Sequence, residues 1–152
     1  MENLGLQETI LLLLVFVLPA LYLNSLRKTL LLINLKNRTI DPNYVWFMFI
    51  IFFNLYYNFK LVSSIATSLS NEFSDRNISV DEKRPGETIG FLNSISLVLW
   101  FINAFTKFDL EAINFILSLG ALITWIIYWV KINKYKKLLI ADNINKLGRH
   151  DL

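Results

Sequence analysis

Pro42-Asn43-Tyr44-Val45-Trp46-Phe47-Met48-Phe49-Ile50-Ile51-Phe52-Phe53-Asn54-Leu55-Tyr56-Tyr57-Asn58-Phe59 is an uncharged, strongly apolar run preceded by Asp41. A helix rising about 1.5 Å per residue needs roughly 20 such residues to cross a hydrocarbon core about 30 Å thick, so the run approaches membrane length. Asp41 can accept from free backbone N–H groups, and Pro42 suits a first helical position, where its missing donor costs nothing. The pattern predicts a helix starting at Pro42. Three further uncharged stretches, 10–25, 88–106 and 112–130, have similar length. Together they predict an all-α integral membrane bundle of four transmembrane helices, with spans near 8–25, 42–60, 88–106 and 111–131. Short connections leave no room for a second unit, so residues 1–152 read as one domain.

Composition agrees. Of 152 residues 55% are hydrophobic and 14% aromatic, and the mean hydropathy is +0.47. One water-surrounded core of this size would leave much of that surface uncovered. The net charge of +3 comes from cations flanking apolar spans, which points to membrane orientation and away from nucleic acid. The absence of cysteine removes disulfides, thiolate metal sites and a lipidated cysteine. No Lys or Arg precedes Arg27, so a positive leader is not expected and span one should remain in the mature chain.

Pro19 predicts a bend in the first span. Beyond it, Leu26, Leu30 and Ile33 recur at helical spacing between Arg27, Lys28 and Lys36. That suits either a short interfacial helix over 26–36 or a continuation of span one. Helical spacing without Pro or Gly over 61–73 predicts that helix two extends beyond the bilayer. Residues 71–86, rich in charge and ending in Pro85-Gly86, read as a mobile polar loop. Spans three and four should pair antiparallel, with Asp109 or Glu111 at the positive end of helix four. The basic tail 131–152 should begin as a continuation of that helix.

Four crossings sort the loops into two sets. Arg27, Lys28, Lys36, Arg38 and Lys107 fall on one side, and the other ten cations fall on the other. The excess predicts that both termini are cytoplasmic, although four cations in the first loop pull the opposite way. Asn37-Arg38-Thr39 and Asn77-Ile78-Ser79 match the glycosylation pattern and fall on opposite sides in this arrangement, and neither is informative.

Polar residues inside the spans form three stripes. Asn54, Asn58, Ser68 and Glu72 share a line of helix two, Asn93, Ser96 and Asn103 one of helix three, and Asn114 and Ser118 one of helix four. Amides in hydrocarbon need partners, so these side chains are expected to bind helices two, three and four together, or else to line a polar path. Ser68 and Glu72, on the projecting part of helix two, are the expected partner-facing residues. Lys60 lies near a span end and should extend its ammonium to the interface. Tyr56, Tyr57, Trp46, Trp100, Tyr128 and Trp129 suit an interfacial aromatic belt. His150 is the only histidine, so a histidine-based metal site or Ser–His–Asp relay cannot be assembled in one chain. No catalytic, metal or cofactor residue is assigned.

The runs Asn37-Arg38-Thr39-Ile40-Asp41-Pro42-Asn43-Tyr44-Val45-Trp46-Phe47, Phe53-Asn54-Leu55-Tyr56-Tyr57-Asn58-Phe59 and Ala66-Thr67-Ser68-Leu69-Ser70-Asn71-Glu72-Phe73, with Ile127-Tyr128-Trp129-Val130-Lys131-Ile132, resemble a family of small bacterial multi-span proteins of unknown function. The resemblance covers nearly the whole chain. It implies a four-helix membrane fold and a Bacteroidota-like host, and no activity or catalytic residue.

The leading expectation is a non-enzymatic protein of the bacterial inner membrane, an accessory or assembly subunit whose partners are lipid and other membrane subunits or copies of itself. The alternative is a small oligomeric transporter or channel, with Asn54, Asn58, Asn93 and Asn103 around its path. An intramembrane enzyme ranks third, because that chemistry needs clustered acids, histidines or a metal.

Overall fold

The computed structural model describes residues 5–106 and 111–150. All regular structure among them is helical: α1 (Leu6–Leu31), α2 (Ile51–Arg76), α3 (Glu87–Thr106) and α4 (Glu111–His150), with a 3-10 turn at Leu35–Asn37 and a longer 3-10 segment at Pro42–Phe49. Two helices are long and apolar enough to cross a membrane, α3 over Glu87–Ala104 and α4 over Ala112–Gly148.

The stretch 42–60 does not form one helix. Its start is as expected: Pro42 opens the segment and the Asp41 carboxylate accepts the Asn43 N–H at 2.8 Å. The eight residues Pro42–Phe49 are wound as 3-10 helix, in which side chains at i and i+3 eclipse. Tyr44 accordingly stacks on Phe47 and Trp46 on Phe49, with centroids 5.4 and 6.0 Å apart. Ile50 is extended (φ −83°, ψ 102°), and there the chain reverses. The Tyr57 hydroxyl donates to the Tyr44 carbonyl at 3.0 Å, the Thr39 hydroxyl to the Ser64 carbonyl at 2.8 Å and the Asn37 amide to Glu72 at 2.7 Å. These pairings run antiparallel, so the 3-10 segment and α2 form a helical hairpin with its tip at Ile50.

The hairpin sets the order of the bundle. Helices α2 and α3 are antiparallel, with Phe52 against Phe101 and Phe59 against Phe91. Helices α3 and α4 are antiparallel too, through Asn93 with Thr124 at 3.4 Å and Asn103 with Asn114. Helix α1 runs parallel to α4, with Tyr22 on Trp125 and Trp129 and the Ser25 hydroxyl donating to Asn133 at 2.7 Å. Helices α1 and α2 therefore end together, and Arg76 donates to the Leu32 carbonyl at 3.0 Å. The beginning of α1 and the end of α4 lie at opposite ends of the bundle.

The buried core occupies one half, the head. Leu26, Leu30 and Ile33 of the first region meet Leu61, Ile65, Leu69 and Phe73 of α2 and Tyr128, Ile132 and Leu139 of α4. Helix α1 continues unbroken to Leu31, so no separate interfacial helix forms over 26–36; Leu26, Leu30 and Ile33 are fully buried instead, while Leu31 and Leu35 are exposed. The part of α2 expected to project free, 61–73, is the centre of this core. Tyr57 and Tyr128 are core residues as well, whereas Tyr56, Trp46 and Trp100 are exposed. Helix α2 ends at Asn77, in the left-handed conformation at φ 56°, and the Ile78 N–H closes the turn on the Phe73 carbonyl. The loop 77–86 is held at its far end by Gly86, whose φ of +79° suits only glycine well. Glu111 begins α4 as expected, while Asp109 lies outside the described residues.

Candidate functional site

Two polar groupings stand out, one in the head and one between the helices below it. In the head, the fully buried Glu72 carboxylate accepts from the Asn34 N–H at 3.0 Å, the Asn34 amide at 2.9 Å and the Asn37 amide at 2.7 Å. Arg76, one helical turn on, closes an ion pair with it at 2.6 Å. The same guanidinium reaches Asp142 at 3.0 Å and Asn143 at 2.6 Å on α4. This knot joins the end of α1, the 3-10 turn, α2 and α4. Ser68, also fully buried, accepts the Thr39 N–H at 2.9 Å. Ser68 and Glu72 are therefore not partner-facing, a correction to the sequence reading. The polar face that Ser68 and Glu72 share turns toward Asn37 and Thr39 of the same chain.

Four further head acids, Asp75, Glu82, Glu87 and Asp142, are paired with cations. Lys36 bonds to Asp75 at 2.8 Å and, with the Asn37 amide, holds that carboxyl below its ordinary range. Burial raises the Glu82 pKa, but hydrogen bonds from Lys131, the Gly86 N–H and Tyr135, together with the Lys131 charge, outweigh it and leave the carboxyl below its ordinary value. Arg84 pairs with Glu87 at 2.8 Å and Lys146 with Asp142 at 2.8 Å. Among the described residues no three His, Cys, Asp or Glu side chains gather as a metal site.

Below the head, a cavity of about 360 Å³ opens between the four α-helices and the 3-10 segment Pro42–Phe49. Asn54 and Asn58, one turn apart on α2, and Asn93 on α3 supply its polar wall. Hydrocarbon and aromatic groups from α1 (Tyr22, Leu23), the 3-10 segment (Met48, Phe49) and α4 (Leu122, Trp125) supply the rest. Asn58 is 2% exposed, and neither its amide nitrogen nor its amide oxygen has a hydrogen-bond partner; the Asn54 amide oxygen lacks one too.

Of the residues expected from sequence, Asn54, Asn58 and Asn93 are thus brought together. Asn103 and Asn114 form a separate pair joining α3 to α4. Ser118 is exposed on α4 and lines an adjoining cavity, and Ser96 is half-buried on α3. Lys60 is exposed. Arg76, Asn34 and Asn37 were missed, although the Glu72–Arg76 spacing of four is a helical ion-pair signal that could have found the first of them. No family model matches the chain, and neither a curated protein nor a solved structure matches it.

Proposed function

We propose that the chain is a non-enzymatic integral membrane protein of a bacterial inner membrane, acting as an accessory or assembly subunit of a membrane complex. The observation that carries this reading is the outer face of α3 and α4. Leu92, Ile95 and Leu99 on one helix, and Ile116, Ile123 and Ile127 on the other, are exposed along membrane length, so lipid or a membrane partner has to cover them. Glu72, Asp75, Glu82, Glu87 and Asp142 are each committed to an ion pair, which favours a binding role over catalysis. The resemblance to small bacterial multi-span proteins belongs to the same proposal.

The hairpin revises the expected crossings. In this reading α1, α3 and α4 span the bilayer, and the 3-10 segment with α2 dips in as a re-entrant hairpin and returns to the same side. Irregular backbone at that depth is tolerated where protein surrounds it. Among the described residues every Lys and Arg except Lys60 then falls on the head side or at its edge. The four cations that opposed the four-span topology no longer do so. The head is cytoplasmic by the excess of cations, the C-terminus lies inside and the N-terminus outside, in place of two cytoplasmic termini. Asn37 and Asn77 share the head side.

Because the chain lacks cysteine, single cysteines report sidedness without background. Thiol labelling from outside should modify a cysteine replacing Glu8 and spare one replacing Lys146; equal labelling of both would overturn the topology. Native-mass analysis of the gently solubilised protein should find a companion polypeptide at fixed stoichiometry, and recovery only as a lone chain would overturn the subunit role. The transporter reading draws on Asn54, Asn58 and Asn93 at one cavity. Its polar line is interrupted by the commitment of Asn103 to Asn114 and by the apolar wall, and solute flux in reconstituted vesicles would restore it.

A further inference from the structure

We propose that the cavity between the helices is a binding site for a single-chain amphiphile with an uncharged head, Asn58 holding the head by donating one hydrogen bond and accepting another. Four observations converge. First, Asn58 presents both amide atoms unpartnered while 2% exposed, and buried carboxamides are ordinarily satisfied. Second, no charged side chain lines the cavity, so an ionised head would enter without a counter-charge and pay its desolvation in full. A neutral head carrying a donor beside an acceptor, as in a primary amide, a protonated carboxyl or a glycerol, complements the Asn58 amide at both atoms.

Third, the space continues. A second cavity of about 640 Å³ shares Met48, Phe49, Asn54 and Leu97 with the first and runs on along Leu55, Trp100 and Phe101. Its wall is almost wholly hydrocarbon and aromatic, which suits an alkyl tail better than an ordered water chain, since water stays only where two to four polar partners hold it. The first cavity alone is within the roughly 300–1,000 Å³ of small-molecule sites. Fourth, the far end reaches Phe16 and Ile51, 60% and 71% exposed on the outer surface. Access is therefore lateral, from the acyl-chain region, with the head drawn toward Asn58.

The test uses the full chain purified in a non-alkyl-amide detergent and titrated with dodecanamide, with dodecane as the headless control and dodecyltrimethylammonium as the charged one. Dodecanamide should bind at one per chain by native mass spectrometry and calorimetry, at least tenfold more tightly than either control. Asn58→Leu should weaken it at least tenfold while leaving the melting temperature unchanged or higher, because an unpartnered buried amide is removed. Leu97→Trp, which fills the junction of the two cavities, should abolish binding whether or not Asn58→Leu yields folded protein. Equal affinity for dodecanamide and dodecane, equal affinity in the wild type and both variants, or no uptake at all would each overturn the proposal; the last outcome, with a less stable Asn58→Leu, would assign the cavity to water.

Discussion

The head and the membrane-length half of this molecule treat their apolar side chains in opposite ways. In the head, α1, α2 and α4 bury Leu26, Leu30, Ile65, Leu69 and Ile132 completely, and the Glu72–Arg76 knot threads through that core. In the other half the same helices expose Phe16, Phe52 and Phe115, with Ile51 uncovered beside Phe52 at the hairpin tip. A core buried by water expulsion specifies its contacts tightly, whereas helices surrounded by hydrocarbon gain little from hiding apolar surface and depend on packing and a few polar contacts. The contrast teaches where mutations should matter.

The largest effect is expected at Arg76. Arg76→Ala strands the buried Glu72 carboxylate and removes the bonds to Leu32, Asp142 and Asn143, and breaking a buried pair costs about 3–5 kcal/mol. Thermal unfolding in detergent should show it, and a loss within measurement error would dissolve the distinction between the halves. Next comes Gly90, at the junction. A Cβ there would lie 2.5 Å from Val62 Cγ1 and 2.9 Å from Tyr128 Cε2, so Gly90→Ala should cost about 1–3 kcal/mol by overpacking. Adding Val62→Ala should recover part of it, and no recovery would mean the helices do not approach as described.

A smaller effect follows from Glu82. Its folded pKa lies below the ordinary value, so it contributes stability above the unfolded carboxylate pKa, and that contribution is lost as pH falls through the folded value. Acid titration of the melting temperature should be shallower in Glu82→Gln than in the wild type below the ordinary carboxylate range, and parallel curves would remove the loop from the head's anchoring. The smallest effect belongs to Ile116, 65% exposed on α4. Ile116→Ala should change stability in detergent by less than about 0.5 kcal/mol; a loss as large as that at Gly90 would show that this face is packed against a second chain.

Much of this was legible beforehand. The apolar runs around α3 and α4, the Asp41-Pro42 start and the turn spacing of Asn54 and Asn58 are local patterns, and local patterns survive folding. What failed to transfer was direction. Leu26 and Leu30 look like the apolar side of an interfacial helix, and Ser68 and Glu72 like a partner-facing stripe, because periodicity defines a face without saying what lies against it. Asn34 and Asn37, which occupy Glu72, sit in an irregular stretch with no period to read.

From its own order of residues, the chain determined helices, the positions of their ends at Asp41 and Gly86, and the chemistry of a hydrocarbon-suited surface, since each depends on neighbours within a turn or two. Only the tertiary structure decided that residues 42–60 fold back at Ile50, that Asn58 faces a cavity without a partner and that the basic segments share one end. A reversal of direction is set by what packs on both arms of the hairpin, the 3-10 aromatics on one side and α3 on the other, and those contacts join residues far apart in the sequence.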